Sequence, residues 1–241
     1  MKAFGKSDVG KVREMNQDSF FISKPTDELQ LYMLADGMGG YNGGEIASKT
    51  AIKTAKSYIT TNFATIEHDR ENIMNLIKNA IEYANMVVYE LSKQTVELEG
   101  MGTTIDVCLI YGGKIYIGHV GDSRVYRKRK EFLRKLTTDH SYVQQLVSDG
   151  TITIEEAYNH PKKNMLIKAL GCTAFVEPDV LVKGYLKDDI ILMCSDGLTN
   201  MIKDEEISKI LSENKEKAFK TLVNKANDNG GYDNITVITI L

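Results

Sequence analysis

Strand and helix periodicities follow one another along this chain in an order that few mixed folds can accommodate. DSFFIS (18–23) and LQLYMLA (29–35) read as two strands around the turn signal KPTDE. Two helices come next. Residues 42–60 place Ala47, Ala51, Ile52, Ala55, Tyr58 and Ile59 at helical spacing, and 70–93 place Ile73, Ile77, Ile81, Ala84, Val88 and Leu91 along one side. Short strands fit 102–111, 114–120, 123–127 and 131–136, with Gly112-Gly113 as a hairpin turn. The polar segment 140–170 is weakly helical, with one short helix at 140–148. Strands return at 179–186 and 189–195, helices fit 204–212 and 215–229, and ITVITIL (235–241) closes the chain as a strand. Strands and helices do not alternate one for one, so a doubly wound parallel sheet is not expected. Two helices among the strands and two near the end suggest two packed sheets, each with a helix pair covering its outward apolar face.

No Gly/Ser linker divides the sequence and no solenoid period is visible, so residues 1–241 are expected to form one domain. The N-terminal MKAFGKSDVG has no apolar signal core, and the apolar runs fall far short of the ~18 residues that span a bilayer, so a soluble chain with no membrane association is expected. Cys108, Cys172 and Cys194 are odd in number and lack paired spacing, which argues against a disulfide framework. Cys108 and Cys194 lie in apolar runs, where a thiol acts as a small hydrophobe, and a cytoplasmic location fits best. The formal net charge is −3, and the one basic run, RKRK at 127–130, reads as a solvated turn, so nucleic acid is not an expected partner.

The apolar runs end in an unusual way. LYMLADGMGG, KIYIGHVGDSR and DDIILMCSDGLT each stop at an aspartate, and Asp18 and Asp233 border strands of their own. If the strand ends converge, Asp18, Asp36, Asp122, Asp196 and Asp233 share one cleft. Like charges that close cannot all remain ionised without counter-charge. A divalent cation supplies it, and oxygen donors suit Mg2+ or Mn2+, while no His/Cys set is available for zinc. Gly37 removes a Cβ where the chain must turn a carbonyl toward such an ion, and Gly39 and Gly40 permit a sharp turn into the helix near Asn42. Arg13, close to Asp18 in sequence, is a candidate for gripping a phosphoryl group.

These residues resemble a known family. REMNQD (13–18), DGMGG (36–40), GMGTT (100–104), GHVGDSR (118–124), LTTDHS (136–141), NMLIKALG (164–171), CSDGLT (194–199) and GGYDNITV (230–237) are similar, in this order, to the motifs of the protein phosphatase 2C family of metal-dependent serine/threonine phosphatases, its bacterial single-domain members above all. The resemblance covers nearly the whole chain. It implies an α+β fold, a four-layer α-β-β-α sandwich of two antiparallel sheets flanked by helix pairs, with two core Mn2+ or Mg2+ ions in the cleft. Asp36 would bridge both ions and the Gly37 carbonyl would join it on one. Asp18, Asp196 and Asp233 would hold the other, and Asp122 with Asp196 would form a third, weaker site. Arg13 would hold the substrate phosphate, and 140–170 would be a flap beside the cleft. A water between the ions would attack phosphorus in line, so Cys172, Cys194 and Ser195 need not be nucleophiles. The implied partners are phosphoserine/phosphothreonine proteins, among them substrates of a serine/threonine kinase and the kinase itself, acted on by a monomer.

There are departures. Tyr41 and Met38 stand where relatives carry histidines, Lys168 replaces an arginine, and His119 stands where a small residue is usual. His119 is expected to pack on a sheet face and His140 to serve as a structural hydrogen-bonder. Two other functions compete with the phosphatase: a silent metal-binding regulator that docks phosphoproteins, and a metal-dependent phosphodiesterase or nuclease. The complete aspartate set argues against the first, and the acidic composition against the second.

Overall fold

The computed structural model describes residues 1–39, 43–213 and 215–241. Its strands are β1 (Ala3–Asp8), β2 (Asp18–Ile22), β3 (Gln30–Met38), β4 (Gly102–Thr103), β5 (Ile105–Tyr111), β6 (Lys114–Val120), β7 (Arg124–Arg129), β8 (Phe132–Lys135), β9 (Asp179–Gly184), β10 (Ile190–Cys194) and β11 (Ile235–Ile240). Its helices are α1 (Gly43–Asn62), α2 (Arg70–Ser92), α3 (Tyr142–Ser148), α4 (Ile154–Tyr158), α5 (Asp196–Thr199), α6 (Asp204–Glu213) and α7 (Ala218–Asp228). One sheet has the order β1-β11-β10-β7-β8 and the other β2-β3-β5-β6-β9, with β4 paired to β3. Neighbouring strands are antiparallel throughout the described residues.

Strand alternation explains the layering. On β3, Leu31, Met33 and Ala35 face α1 and α2, whereas Tyr32 and Leu34 face the opposite sheet. On β10, Leu192 and Cys194 face α5 to α7, whereas Ile191 and Met193 point inward. Both faces of these strands are buried, so they read as unbroken apolar runs. Two helix–sheet cores and one sheet–sheet core result, the expected four-layer α-β-β-α sandwich.

Several expectations need correction. Residues 102–111 form two strands, β4 and β5, both paired with β3 and separated at Thr104. β1 was not expected: AFGKSD lacks alternation, and it is an edge strand in the ladder with β11 alone. The segment 140–170 holds α4 as well as α3, and Thr153 and Glu156 form a capping box at the start of α4. RKRK is no solvated turn. Arg127, Lys128 and Arg129 belong to β7, where Arg129 is bidentate to Asp189 at 2.7 Å and the buried Lys128 donates to Ser208 Oγ at 2.9 Å.

Candidate active site

The cleft is built from strand ends. Asp18 opens β2 and Asp36 lies near the end of β3, directly opposite it in the antiparallel register. Asp36 is fixed through its backbone: its N–H donates to Thr104 Oγ1 at 2.9 Å, and its carbonyl accepts from Thr103 Oγ1 and from the Thr104 N–H, each at 2.9 Å. This is the task of the threonine pair in GMGTT. Gly37 packs so closely that a Cβ there would lie 2.1 Å from Gly44 O and 2.6 Å from Gln17 O. The start of α1 can therefore abut the cleft only at a glycine. Gly39 adopts φ +141°, as the expected turn requires. Gly40, Asn42 and Tyr41, the residue in the histidine position, lie outside the described residues.

The other sheet supplies the remaining acids. Asp196 begins α5 just after β10, and its Oδ2 accepts from Asn200 Nδ2 at 2.9 Å. Asp233 precedes β11; its Oδ1 accepts from the Asn234 N–H at 2.9 Å and its Oδ2 from Arg13 Nη2 at 2.8 Å. Asp122 follows Gly121, whose N–H and carbonyl are both held by His140, through Nδ1 at 3.1 Å and the backbone N–H at 2.7 Å. His140 is thus the structural hydrogen-bonder that the sequence suggests. His119 is fully buried, with Nδ1 at 2.7 Å from Asp106 Oδ1 and Nε2 at 3.0 Å from Thr138 O, so both ring nitrogens are engaged within the protein.

Burial and mutual repulsion dominate the electrostatics. Burial drives the Asp36 carboxyl well above the ordinary range, and Asp18, Asp196, Asp122 and Asp233 all push it further in the same direction. The five aspartates thus act on one centre. Burial, with repulsion from Asp196 and Asp233 added, lifts Asp18 to about 7 against the hydrogen bond from Ser195. Burial and Asp233 lift Asp196 to about 6, and burial and Asp196 raise Asp122 well above the usual range. Protein counter-charge is scarce. Arg124 is bidentate to Asp139, leaving Arg13 at the rim. Asp18 Oδ1 is buried without a hydrogen-bond partner.

An orphaned buried carboxylate oxygen, in a group of carboxylates that repel one another, fits a hard divalent cation. Among the described residues no three Asp, Glu, His or Cys side chains close on one point tightly enough to hold an ion unaided. The Gly37 carbonyl and water are the donors such a site would add, in keeping with ions that retain part of their hydration.

Ser195 and Asn234 are positioning residues that periodicity and spacing do not reveal. Ser195 Oγ donates to Asp18 Oδ2 and accepts the Thr236 N–H, each at 2.9 Å. Asn234 accepts the Gln17 N–H at 2.8 Å and donates to Val9 O at 3.0 Å and Met15 O at 2.9 Å, which shapes the loop that carries Arg13.

A two-sheet sandwich with an aspartate-lined cleft between the strand ends defines the metal-dependent phosphatase class. The model of the family described as protein phosphatase 2C matches residues 9–236, and the chain belongs to that family. It is 36% identical over 242 residues to the serine/threonine phosphatase stp of Listeria monocytogenes, covering 100% of this chain and 95% of that one. The solved serine/threonine phosphatase of S. agalactiae superposes with a TM-score of 0.90 at 36% identity, covering 99% of this chain and 98% of that one. The catalytic domain of PstP in complex with two manganese ions gives a TM-score of 0.86 at 32% identity, covering 99% and 96%.

Proposed function

We propose that this protein hydrolyses phosphoserine and phosphothreonine esters of proteins in the aspartate cleft. Asp36 would bridge two divalent ions, with the Gly37 carbonyl on one and Asp18, Asp196 and Asp233 on the other. Asp122 with Asp196 would form a third, weaker site. The buried, unpartnered Asp18 Oδ1, set beside carboxyls that all raise Asp36, carries this assignment. Bound there, Mn2+ or Mg2+ supplies Lewis acidity toward a phosphoryl oxygen and acidifies a water.

The protein's own part is positioning. Arg13 is exposed at the rim with Nε and Nη1 unpaired among the described residues, so one of them, together with the second N–H of Nη2, can take phosphate oxygens while the first Nη2 N–H stays on Asp233. Ser195 and Asn200 aim Asp18 and Asp196. Met38 offers no proton to a leaving group, so a water, Tyr41 or no protein acid must serve. Ser195 is committed to Asp18 and the Thr236 N–H, which leaves it no nucleophilic role.

The substrates are products of a serine/threonine kinase, with that kinase among them, and the enzyme works as a cytoplasmic monomer. Residues 1–241 act as one catalytic domain, with 140–170 as its flap. Among the described residues no helix is long and apolar enough to cross a membrane. The docking-only alternative is disfavoured, because the relatives are named as phosphatases. Phosphate release from a phosphothreonine peptide and from p-nitrophenyl phosphate, with Mn2+ and then with EDTA, tests the reading. Turnover only with metal supports it, and equal turnover in EDTA refutes it.

A further inference from the structure

A groove of about 510 Å³ runs from Asp18 outward between edge strand β2 and helix α1. Its wall on the α1 side carries Lys49, Lys53 and Lys56, and the partly exposed Phe20 and the neighbouring Phe21 line the β2 side. The charges of α1 are distributed in one way only. Glu45, Lys49, Lys53 and Lys56 are its Asp, Glu, Lys and Arg residues in full, and all four line this groove. The other outward positions, among them Thr50, Thr54, Ser57, Thr60 and Thr61, are uncharged. A helix that carried lysines only for solubility would spread them. A helix that used them against its dipole would place them in its last turn, which has none.

Glu45 is already engaged by Lys49. Lys53 and Lys56 have no ion-pair partner among the described residues, and Lys56 Nζ sits 4.1 Å from the Phe21 ring centroid. The groove therefore presents two uncompensated positive charges beside an aromatic surface, in a chain whose formal net charge is −3. Resting on the proposed phosphatase activity, we infer that it is a docking groove for acidic side chains flanking the phosphorylated residue of the substrate.

The geometry sets the reach. Gly44 touches Gly37 at the cleft. At a rise of ~1.5 Å per residue, Lys49 lies about 8 Å and Lys56 about 18 Å along α1 from that point. An extended peptide advancing ~3.3 Å per residue covers those distances in roughly two to five residues. Acidic residues two to five positions from the phosphoresidue, on one side of it, are the ones read.

The test compares phosphothreonine peptides with Glu at those positions, N-terminal or C-terminal to the phosphothreonine, against peptides with Gln there. The wild-type enzyme should show a kcat/KM about three- to ten-fold higher for one of the Glu peptides at low salt, as exposed ion pairs allow. Added salt should erase most of that preference. The double variant Lys53→Glu/Lys56→Glu should invert it and leave p-nitrophenyl phosphate hydrolysis unchanged. Equal rates on Glu and Gln peptides, or a preference that survives the double variant, overturn the inference. A fall in p-nitrophenyl phosphate turnover in the variant also overturns it, since the lysines would then act on the site itself. Lysine-dependent binding of phosphatidylserine vesicles without any peptide preference would assign the groove to a lipid surface instead. Failure of the wild type to release phosphate from any of these substrates would remove the phosphatase reading, and the docking groove with it.

Discussion

Ser195 donates its hydroxyl to Asp18 Oδ2 over 2.9 Å and so links the two sheets in the buried part of the cleft. Ser195 follows β10 in one sheet, and Asp18 opens β2 in the other. The same hydroxyl accepts the Thr236 N–H. One small side chain thus holds a buried carboxylate whose second oxygen faces no protein donor.

Ser195→Ala should therefore act through the metal. Loss of a residue that orients a ligand typically costs about 10–100-fold in metal affinity. The Mn2+ concentration for half-maximal activity should rise by about that factor, while kcat at saturating Mn2+ stays within a few-fold of wild type. A Mn2+ titration of turnover checks this. Activity that no amount of Mn2+ restores would return Ser195 to the list of candidate nucleophiles.

The raised aspartates tie stability to pH. A carboxyl whose folded-state pKa is raised binds a proton in the folded chain that the unfolded chain has released, so stability falls as pH rises toward the folded value. With Asp196 at about 6, Asp18 at about 7 and Asp36 and Asp122 well above their usual range, metal-free protein should lose stability as pH rises from the ordinary carboxylate range of about 4 through about 7. His119, raised by the neighbouring Asp106 carboxylate against the effect of burial, adds a slope of the same sign. His140, held near 4 by burial and by the His119 charge, gives one opposing slope between about 4 and 6.5, which the several raised aspartates outweigh. Urea midpoints in EDTA should fall across it, and saturating Mn2+ should abolish the aspartates' share of the slope. A midpoint in EDTA that is flat or rises with pH would contradict the electrostatic picture.

Arg13→Ala removes a guanidinium from the rim and frees Asp233. A charge-assisted hydrogen bond is worth about 1.5–3 kcal/mol, so kcat/KM for a phosphothreonine peptide should fall by on the order of ten-fold or more. A contact kept from ground state to transition state would raise KM, and one that strengthens in the transition state would lower kcat. Both are expected to change. Steady-state kinetics at saturating Mn2+ checks this, and an unchanged kcat/KM would remove Arg13 from the site.

The acid-ended strands were legible because burial on both faces writes an unbroken apolar run, and Asp36, Asp122 and Asp196 each interrupt or end one. The long helices were legible from their period. What the sequence hid works through hydrogen bonds between residues far apart in the chain. Asn234 shapes the loop around residues 9–17 from the far end of the protein, and Thr103 and Thr104 fix Asp36 across two helices. A single asparagine or threonine leaves no periodic trace. β1 was hidden for a related reason: an edge strand with only half-buried positions has little apolar pattern to show. The lysines of α1 are visible in the sequence, but their convergence on one groove depends on how α1 lies beside β2.

The most direct test of the whole account is a calorimetric Mn2+ titration of wild type and Asp36→Asn, paired with phosphothreonine-peptide turnover on the same samples. Wild type should bind at least two ions and turn over. Asp36→Asn, nearly isosteric and still folded by circular dichroism, should lose tight binding and essentially all turnover. A folded Asp36→Asn variant that binds Mn2+ and hydrolyses the peptide like wild type would contradict it.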